Sequence, residues 1–189
     1  MRFRLKPGRP EEPDGAVAGS ATVQKIITDN LDSAYNLARW LVKDPTLAED
    51  VVQEAMVRAL RHFPSYRGGD ARAWLMQIVR NVGYTALSAR RREREISIPE
   101  GGADPDGGSP APEMADPADG PEMLMTRQQD LQCLERRLSA LPTELRECLV
   151  LKEFEDLSYK QIAEVTGVPV GTVMSRLWRA RQALVVPGR

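Results

Sequence analysis

Between Ile96 and Thr126 the chain carries six prolines, five glycines and seven carboxylates, with no lysine, no arginine and no hydrophobic period. Such a composition cannot bury enough apolar surface to offset the entropy of ordering it, so it predicts a linker. A structureless loop of about 30 residues is improbable inside one compact domain, and a folded module is therefore expected on each side. The expected layout is a disordered tail over 1–22, a helical domain over 23–95, a flexible acidic linker over 96–127 and a second helical domain over 128–189. The fold class is all-α. Aromatic residues make up only 5% of the chain, which suits helices packed through Leu, Val and Ala better than a sandwich of strands.

Charge must be read segment by segment. Lys and Arg total 26 against 27 Asp and Glu, a net charge of -1 that would ordinarily argue against a nucleic-acid partner. Setting aside the seven linker carboxylates leaves 26 basic against 20 acidic residues, so the modules are modestly cationic and the strap between them is acidic. No run of 18 apolar residues and no signal peptide is present, which predicts a cytoplasmic protein without membrane insertion. Two cysteines, Cys133 and Cys148, and one histidine, His62, are too few for a disulfide framework or a zinc site. There is no nucleophile–base pair, and Gly68-Gly69 lacks the lysine and following helix pattern of a phosphate loop. Neither enzymatic activity nor a cofactor is expected.

In the first module, Ile27, Leu31, Ala34, Tyr35, Ala38, Leu41 and Val42 recur at helical spacing and predict one helix from Val23 to a break at Lys43-Asp44-Pro45. Thr46 with Glu49 three residues on reads as a capping box opening a second helix, with Val51, Val52, Ala55, Met56, Ala59, Leu60 and Phe63 inward. Pro64 to Asp70 is punctuation, and a third helix is expected from about Ala71 to Arg92. The second helix sets Asp50, Gln53 and Glu54 on its polar side. The third carries Arg72, Arg80, Asn81, Arg90 and Arg91 with Trp74 and Tyr84 interleaved. Rings among arginines suit unpaired bases and phosphates, through stacking and charge neutralisation.

In the second module, Ser158 to Leu184 has the layout of a helix-turn-helix. Ser158 with Gln161 is a capping box for a short helix, Gly167 supplies the turn, and Ile162, Ala163, Val168, Val173 and Leu177 are placed to seal the crossing. The opposite face shows Thr172, Ser175, Arg176, Trp178, Arg179 and Arg181. No Asp or Glu occurs from Val165 to Arg189, where a merely solvated face would mix both signs. That face suits a polyanion.

Several segments resemble those of the extracytoplasmic-function sigma factors, the smallest members of the sigma-70 family. They are Ala48-Glu49-Asp50-Val51-Val52-Gln53-Glu54, then Arg72-Ala73-Trp74-Leu75 leading to Arg80-Asn81, then Leu141-Pro142, and finally Val168 through Arg181. The resemblance implies a region 2 bundle followed by a region 4 helix-turn-helix. It further implies that Asp50, Gln53 and Glu54 dock on the clamp helices of the largest subunit of core RNA polymerase, with the flap of the second-largest subunit as another contact. Arg67, Asp70, Arg72, Trp74, Arg80, Asn81, Tyr84, Arg90 and Arg91 would take the unpaired -10 strand of promoter DNA. Ser175, Trp178 and Arg179 would face the -35 element, with Thr172, Arg176 and Arg181 on phosphates. An anti-sigma factor partner and a monomeric free chain are also implied. Two positions depart from the family pattern: Thr85 stands where an Asp is common, and Met174 where a polar or basic residue is common.

Competing readings are a dimeric helix-turn-helix regulator and a stress-signalling adaptor. The first needs a symmetric DNA site and an apolar self-interface, and the second usually adds a receiver domain for which there is no α/β pattern. Cys133 and Cys148 would sense oxidation only if they approach across two helices.

Overall fold

The computed structural model describes residues 14–97 and 132–185, so the expected linker lies almost wholly outside the described residues. The first module contains α1 (Asp14–Asp29), α2 (Leu31–Val42), α3 (Pro45–His62), a 3-10 turn (Phe63–Ser65) and α4 (Ala71–Ser97). The second contains α5 over residues 132–140, α6 (Thr143–Glu153), α7 (Tyr159–Thr166) and α8 (Val170–Leu184). No strand occurs among the described residues.

Four boundaries differ from the sequence expectation, one of them the end of α4, which runs to Ser97 rather than Arg92 and so into the expected linker. Helix begins at Asp14, inside the segment expected to be a tail through residue 22. The helix expected to run unbroken to Val42 is divided at Asn30, whose side-chain amide donates to the Ile26 carbonyl at 2.8 Å and satisfies one of the free carbonyls ending α1. The cap of α3 is Asp44 rather than Thr46: its carboxylate accepts from the Leu47 amide at 3.2 Å, and Pro45 fills the first helical position, where its missing N–H costs nothing. Lys43 ends α2 in the left-handed region, with φ 58°. The α7 capping box forms as expected, and Gly167 (φ 70°) closes that helix by donating its amide to the Ala163 carbonyl.

Periodic apolar residues meet in the middle of the first module. Leu37, Leu41, Val51, Leu75, Met76 and Val79 are buried at 2% exposure or less, each large side chain contributing about 1.5–3 kcal/mol relative to exposure. Leu60, expected inward, is exposed. Helices α2 and α4 approach closely at Gly83, where an added Cβ would come 3.2 Å from Leu41 Cδ1. In the second module Leu151, Leu157, Ile162, Val173 and Leu177 seal the helix crossing.

The two modules also pack on each other, α4 against α7 and α2 against α6, and their buried residues form one contiguous cluster. Arg146, only 2% exposed, is a central piece of this junction. Its guanidinium donates to the Trp40 carbonyl of α2 at 2.7 Å and to the Ser139 and Leu141 carbonyls at 3.0 and 2.8 Å. Beside it the rings of Trp40 and Phe154 lie 5.9 Å apart.

Candidate nucleic-acid interface

The turn between α3 and α4 builds an aromatic platform. Phe63 and Tyr66 stack at 5.7 Å, Tyr66 and Trp74 lie 5.0 Å apart, and Phe63 meets Trp74 edge-on at 6.2 Å. Gly68 and Gly69 adopt φ of 85° and 102°, a region side chains resist, which lets the loop fold back so that the Tyr66 hydroxyl donates to the Gly69 carbonyl at 2.7 Å. Asp70 then caps α4 by accepting from the Ala73 amide at 3.0 Å. Together these residues border an open cleft of about 620 Å³ lined by Tyr66, Gly69, Asp70, Trp74 and Gln77, with Glu164 of α7 on its far side. Trp74 is half-buried, one part in the core and the rest toward the cleft, so it serves both packing and surface. The Ala73 amide, and after it the Gln161 side-chain amide that donates to the other carboxylate oxygen, hold the Asp70 carboxyl below its usual range.

The arginines of α4 do not form the open cationic face that their spacing suggests. Arg72 donates to Glu155 at 2.6 Å and to the Ser33 hydroxyl at 3.0 Å. Arg80 donates to Glu147 at 2.5 Å and lies 4.5 Å from the centre of the Tyr84 ring, while the Tyr84 hydroxyl donates to the same carboxylate at 3.1 Å. Both carboxylates come from the second module and are almost completely buried, with side-chain exposures of 2% for Glu155 and 0% for Glu147. Burial pushes the Glu147 carboxyl above the ordinary range, with Arg80 pulling the other way, and burial followed by the nearby Glu147 charge raises the Tyr84 phenol. Farther along α4, Arg90 pairs with Asp44 at 3.0 Å and Arg91 with Glu95 at 2.9 Å, both in water-accessible positions. Arg67 and Asn81 are exposed, and Thr85 donates its hydroxyl to the Asn81 carbonyl at 2.8 Å.

On α8 the structure separates residues that helical spacing had grouped. Ser175, Trp178 and Arg179 are exposed, Trp178 at 64%, and Met174 beside them is 49% exposed. Thr172 is half-buried at the start of the helix. Arg181 is exposed but pairs with Glu153 at 2.7 Å, a hydrogen bond that raises its already high pKa. Arg176 turns inward: its side chain is 14% exposed, 3.8 Å from Glu144. The exposed part of the face is thus a stripe of Met174, Ser175, Trp178 and Arg179.

The acidic ridge lies on α3. Asp50 and Gln53 are exposed, and Glu54 is half-exposed in a pair with Arg58 at 2.7 Å one turn along. Among the described residues no group of His, Cys, Asp and Glu could hold a metal ion, and no helix is long and apolar enough to cross a membrane. Cys148 is a free, buried thiol pushed up to about 11 by burial, and Cys133 is free and half-buried.

Sequence reasoning missed Glu147, Glu155 and Gln161 as partners of the α4 face. Their partners lie 67, 83 and 91 residues away, so no local spacing carries the signal. The only trace is a pair of charged residues, Arg146 and Glu147, flanked by Leu145 and Cys148-Leu149.

Known proteins show the same two parts in the same order. Residues 26–93 match the family description "Sigma-70 region 2", and residues 131–184 match "Sigma-70, region 4". The chain is 39% identical over 145 residues to the RNA polymerase sigma-H factor of Pseudomonas aeruginosa, covering 76% of this chain and 74% of that protein. It is 36% identical over 138 residues to the ECF RNA polymerase sigma-E factor of Escherichia coli, covering 71% and 70%. Among solved structures, the sigma factor RpoE of Bartonella quintana in complex with the anti-sigma factor NepR superposes with a TM-score of 0.69. That match has 27% identity and covers 86% of this chain and 94% of that one.

Proposed function

The chain belongs to the sigma-70 family of RNA polymerase sigma factors, in its extracytoplasmic-function branch, and from that premise we propose a division of labour among its surfaces. It is a transcription initiation factor and not an enzyme. What remains is which residues meet polymerase and which meet each part of a promoter.

The observation that carries the assignment is the cleft beside Trp74 and Tyr66. An open, ring-lined recess edged by Asp70 and the glycine loop is suited to a base taken out of the stack, at a cost of a few kcal/mol that stacking and phosphate contacts offset. The first module thereby holds the unpaired strand of the -10 element, and Arg67, Asn81, Arg90 and Arg91 lie along the surface that the strand would follow. Melting is driven by binding, without a nucleotide cofactor. Ser175, Trp178 and Arg179 enter the groove of the -35 element, Arg179 being the candidate for bidentate readout. Arg181 keeps a phosphate role once Glu153 releases it, whereas Arg176, turned toward Glu144, supports the position of α8.

Asp50 and Gln53 present an exposed polar ridge on α3, which fits the clamp helices of the polymerase largest subunit. Charge complementarity there sets orientation and association rate more than affinity. The site of action is the compartment that holds the polymerase, the cytoplasm. The relative from Bartonella quintana is held by an anti-sigma factor, and a partner of that kind is inferred for this chain as well.

The test is promoter melting by reconstituted holoenzyme, read from a fluorescent base analogue in the -10 strand. Wild-type holoenzyme should unstack the analogue, and Asp50→Lys should slow holoenzyme assembly by roughly tenfold at low salt while leaving binding of a pre-melted -10 strand by the free chain unchanged. Unstacking that is absent in every promoter context would remove the -10 assignment.

A further inference from the structure

Three large apolar side chains of α8 stay at the surface in one row. Val170, Met174 and Trp178 follow each other at intervals of four residues, which sets them one above the next along the helix, and they are 36%, 49% and 64% exposed. The inward side of the same helix is already filled by Val173, Leu177 and Ala180, so the packing of the module does not account for the row. Single exposed apolar residues are ordinary, whereas three in register mark a surface that a partner covers.

A polar row runs beside it. Ser175 and Arg179 are exposed one helical step away, the Arg179 Nε donating to the Ser175 carbonyl at 3.4 Å, and no Asp or Glu occurs from Val165 to Arg189. An occupant of this face therefore offers anionic charge and apolar groups side by side. The major groove of duplex DNA does so: phosphates line its walls, and the apolar group that its base edges present is the C5 methyl of thymine. Met174 has no donor for a phosphate or a guanine, and its thioether is a weak acceptor, so what it gains in the groove is burial. It lies in the N-terminal half of α8, the part of a recognition helix whose side chains meet base edges. Gly171 precedes it by nearly one turn, and a Cβ added there would meet nothing within 4 Å, so the start of the helix can approach a duplex closely. Trp178 stands about 6 Å farther along the axis, the span of one to two base pairs.

We propose that Met174 is a specificity-determining residue of the -35 contact: its side chain, with the Trp178 ring one turn on, packs against the C5 methyl of a thymine, while Ser175 and Arg179 meet the neighbouring polar edges. This rests on the -35 assignment made under the proposed function. A methyl is read by burial alone, so the preference is confined to one base step and, unlike a phosphate contact, does not weaken with salt.

The experiment uses reconstituted holoenzyme and a labelled duplex promoter fragment in which each -35 thymine is replaced in turn by deoxyuridine, which removes the methyl and keeps every hydrogen-bonding group. Wild type should lose about fourfold in affinity at one or two adjacent positions, the factor of one buried methyl, and the loss should be the same at low and high salt. Met174→Ala should weaken binding of the thymine duplex by a similar factor and bind thymine and uracil duplexes alike at that position, whereas Met174→Leu should keep the difference. Because Met174 is half-exposed, neither change threatens the fold. A uracil effect that is absent at every thymine, or that persists undiminished in Met174→Ala, overturns the methyl contact; if Arg179→Ala still weakens -35 binding, the -35 assignment stands. If neither Arg179→Ala nor any base change in the -35 duplex alters affinity, the assignment fails and the proposal with it. Uracil duplexes bound like thymine ones, together with weaker assembly of Met174→Ala with core polymerase, would give the row to a protein contact and likewise overturn the proposal.

Discussion

Arg80 of α4 donates to Glu147 of α6 across the junction of the two modules, and that carboxylate, wholly out of water, also accepts from Tyr84. Burial raises the Glu147 pKa above its ordinary 4.5, against the pull of Arg80, the Tyr84 hydroxyl and Arg176. A folded value above the unfolded value means that folding takes up a proton. The contribution is fully present below about 4.5 and is lost as pH rises through the raised value. Asp70 has the opposite sign, and its tie to Gln161 weakens only as pH falls below the usual carboxylate range. Wild type should therefore lose thermal stability relative to Glu147→Gln as pH rises from 5 to 8. A wild type that gains on the variant over that range would contradict the assigned shift.

Trp74 joins two roles, packing partly against the core and lining the cleft. Trp74→Ala should weaken binding of a pre-melted -10 strand by about 1–3 kcal/mol, the range for loss of one base-stacking platform. Binding of duplex -35 DNA should be unaltered. Anisotropy titrations with the two probes measure both.

Gly167 closes α7 at φ 70°, and an added Cβ would meet nothing within 4 Å. The cost of Gly167→Ala is therefore backbone strain alone, about 1–2 kcal/mol, and Gly167→Asn should cost less. Thermal unfolding of the two variants should rank them in that order. At Gly83 the reverse holds: φ is ordinary for a helix, and the 3.2 Å approach to Leu41 makes larger side chains than Ala destabilising through packing.

Cys148 is buried, and its thiol is pushed up to about 11, so almost no thiolate exists at neutral pH. A thiol reagent should modify Cys133 first, with the second equivalent appearing only on unfolding or opening. Two equivalents reacting together in the native chain at pH 7 would contradict this environment.

The helices were legible because each is written locally. Ser158 and Gln161 cap α7 over three residues, and the apolar residues of α8 repeat at the spacing that seals the crossing. The aromatic and acidic residues were also legible as types at helical positions: Trp74 reaches the cleft and Asp50 and Gln53 stay exposed. What could not be read was how the two modules meet. Arg72 and Arg80 look free on a helical wheel because Glu155 and Glu147 reach them from 83 and 67 residues away. The inward turn of Arg176 was illegible for a related reason, since helical spacing puts it near Thr172 but long arginine side chains can turn toward a neighbouring helix, here to Glu144. At α3 the local signal was present but misassigned: a proline at the first helical position makes the residue before it, Asp44, the cap.

Run-off transcription with purified core polymerase tests the account most directly. Adding the chain should yield transcripts from discrete starts downstream of paired promoter elements, none of which appear with core alone. Complete absence of such transcripts from every genomic promoter tried, together with no complex between the chain and core, would contradict it.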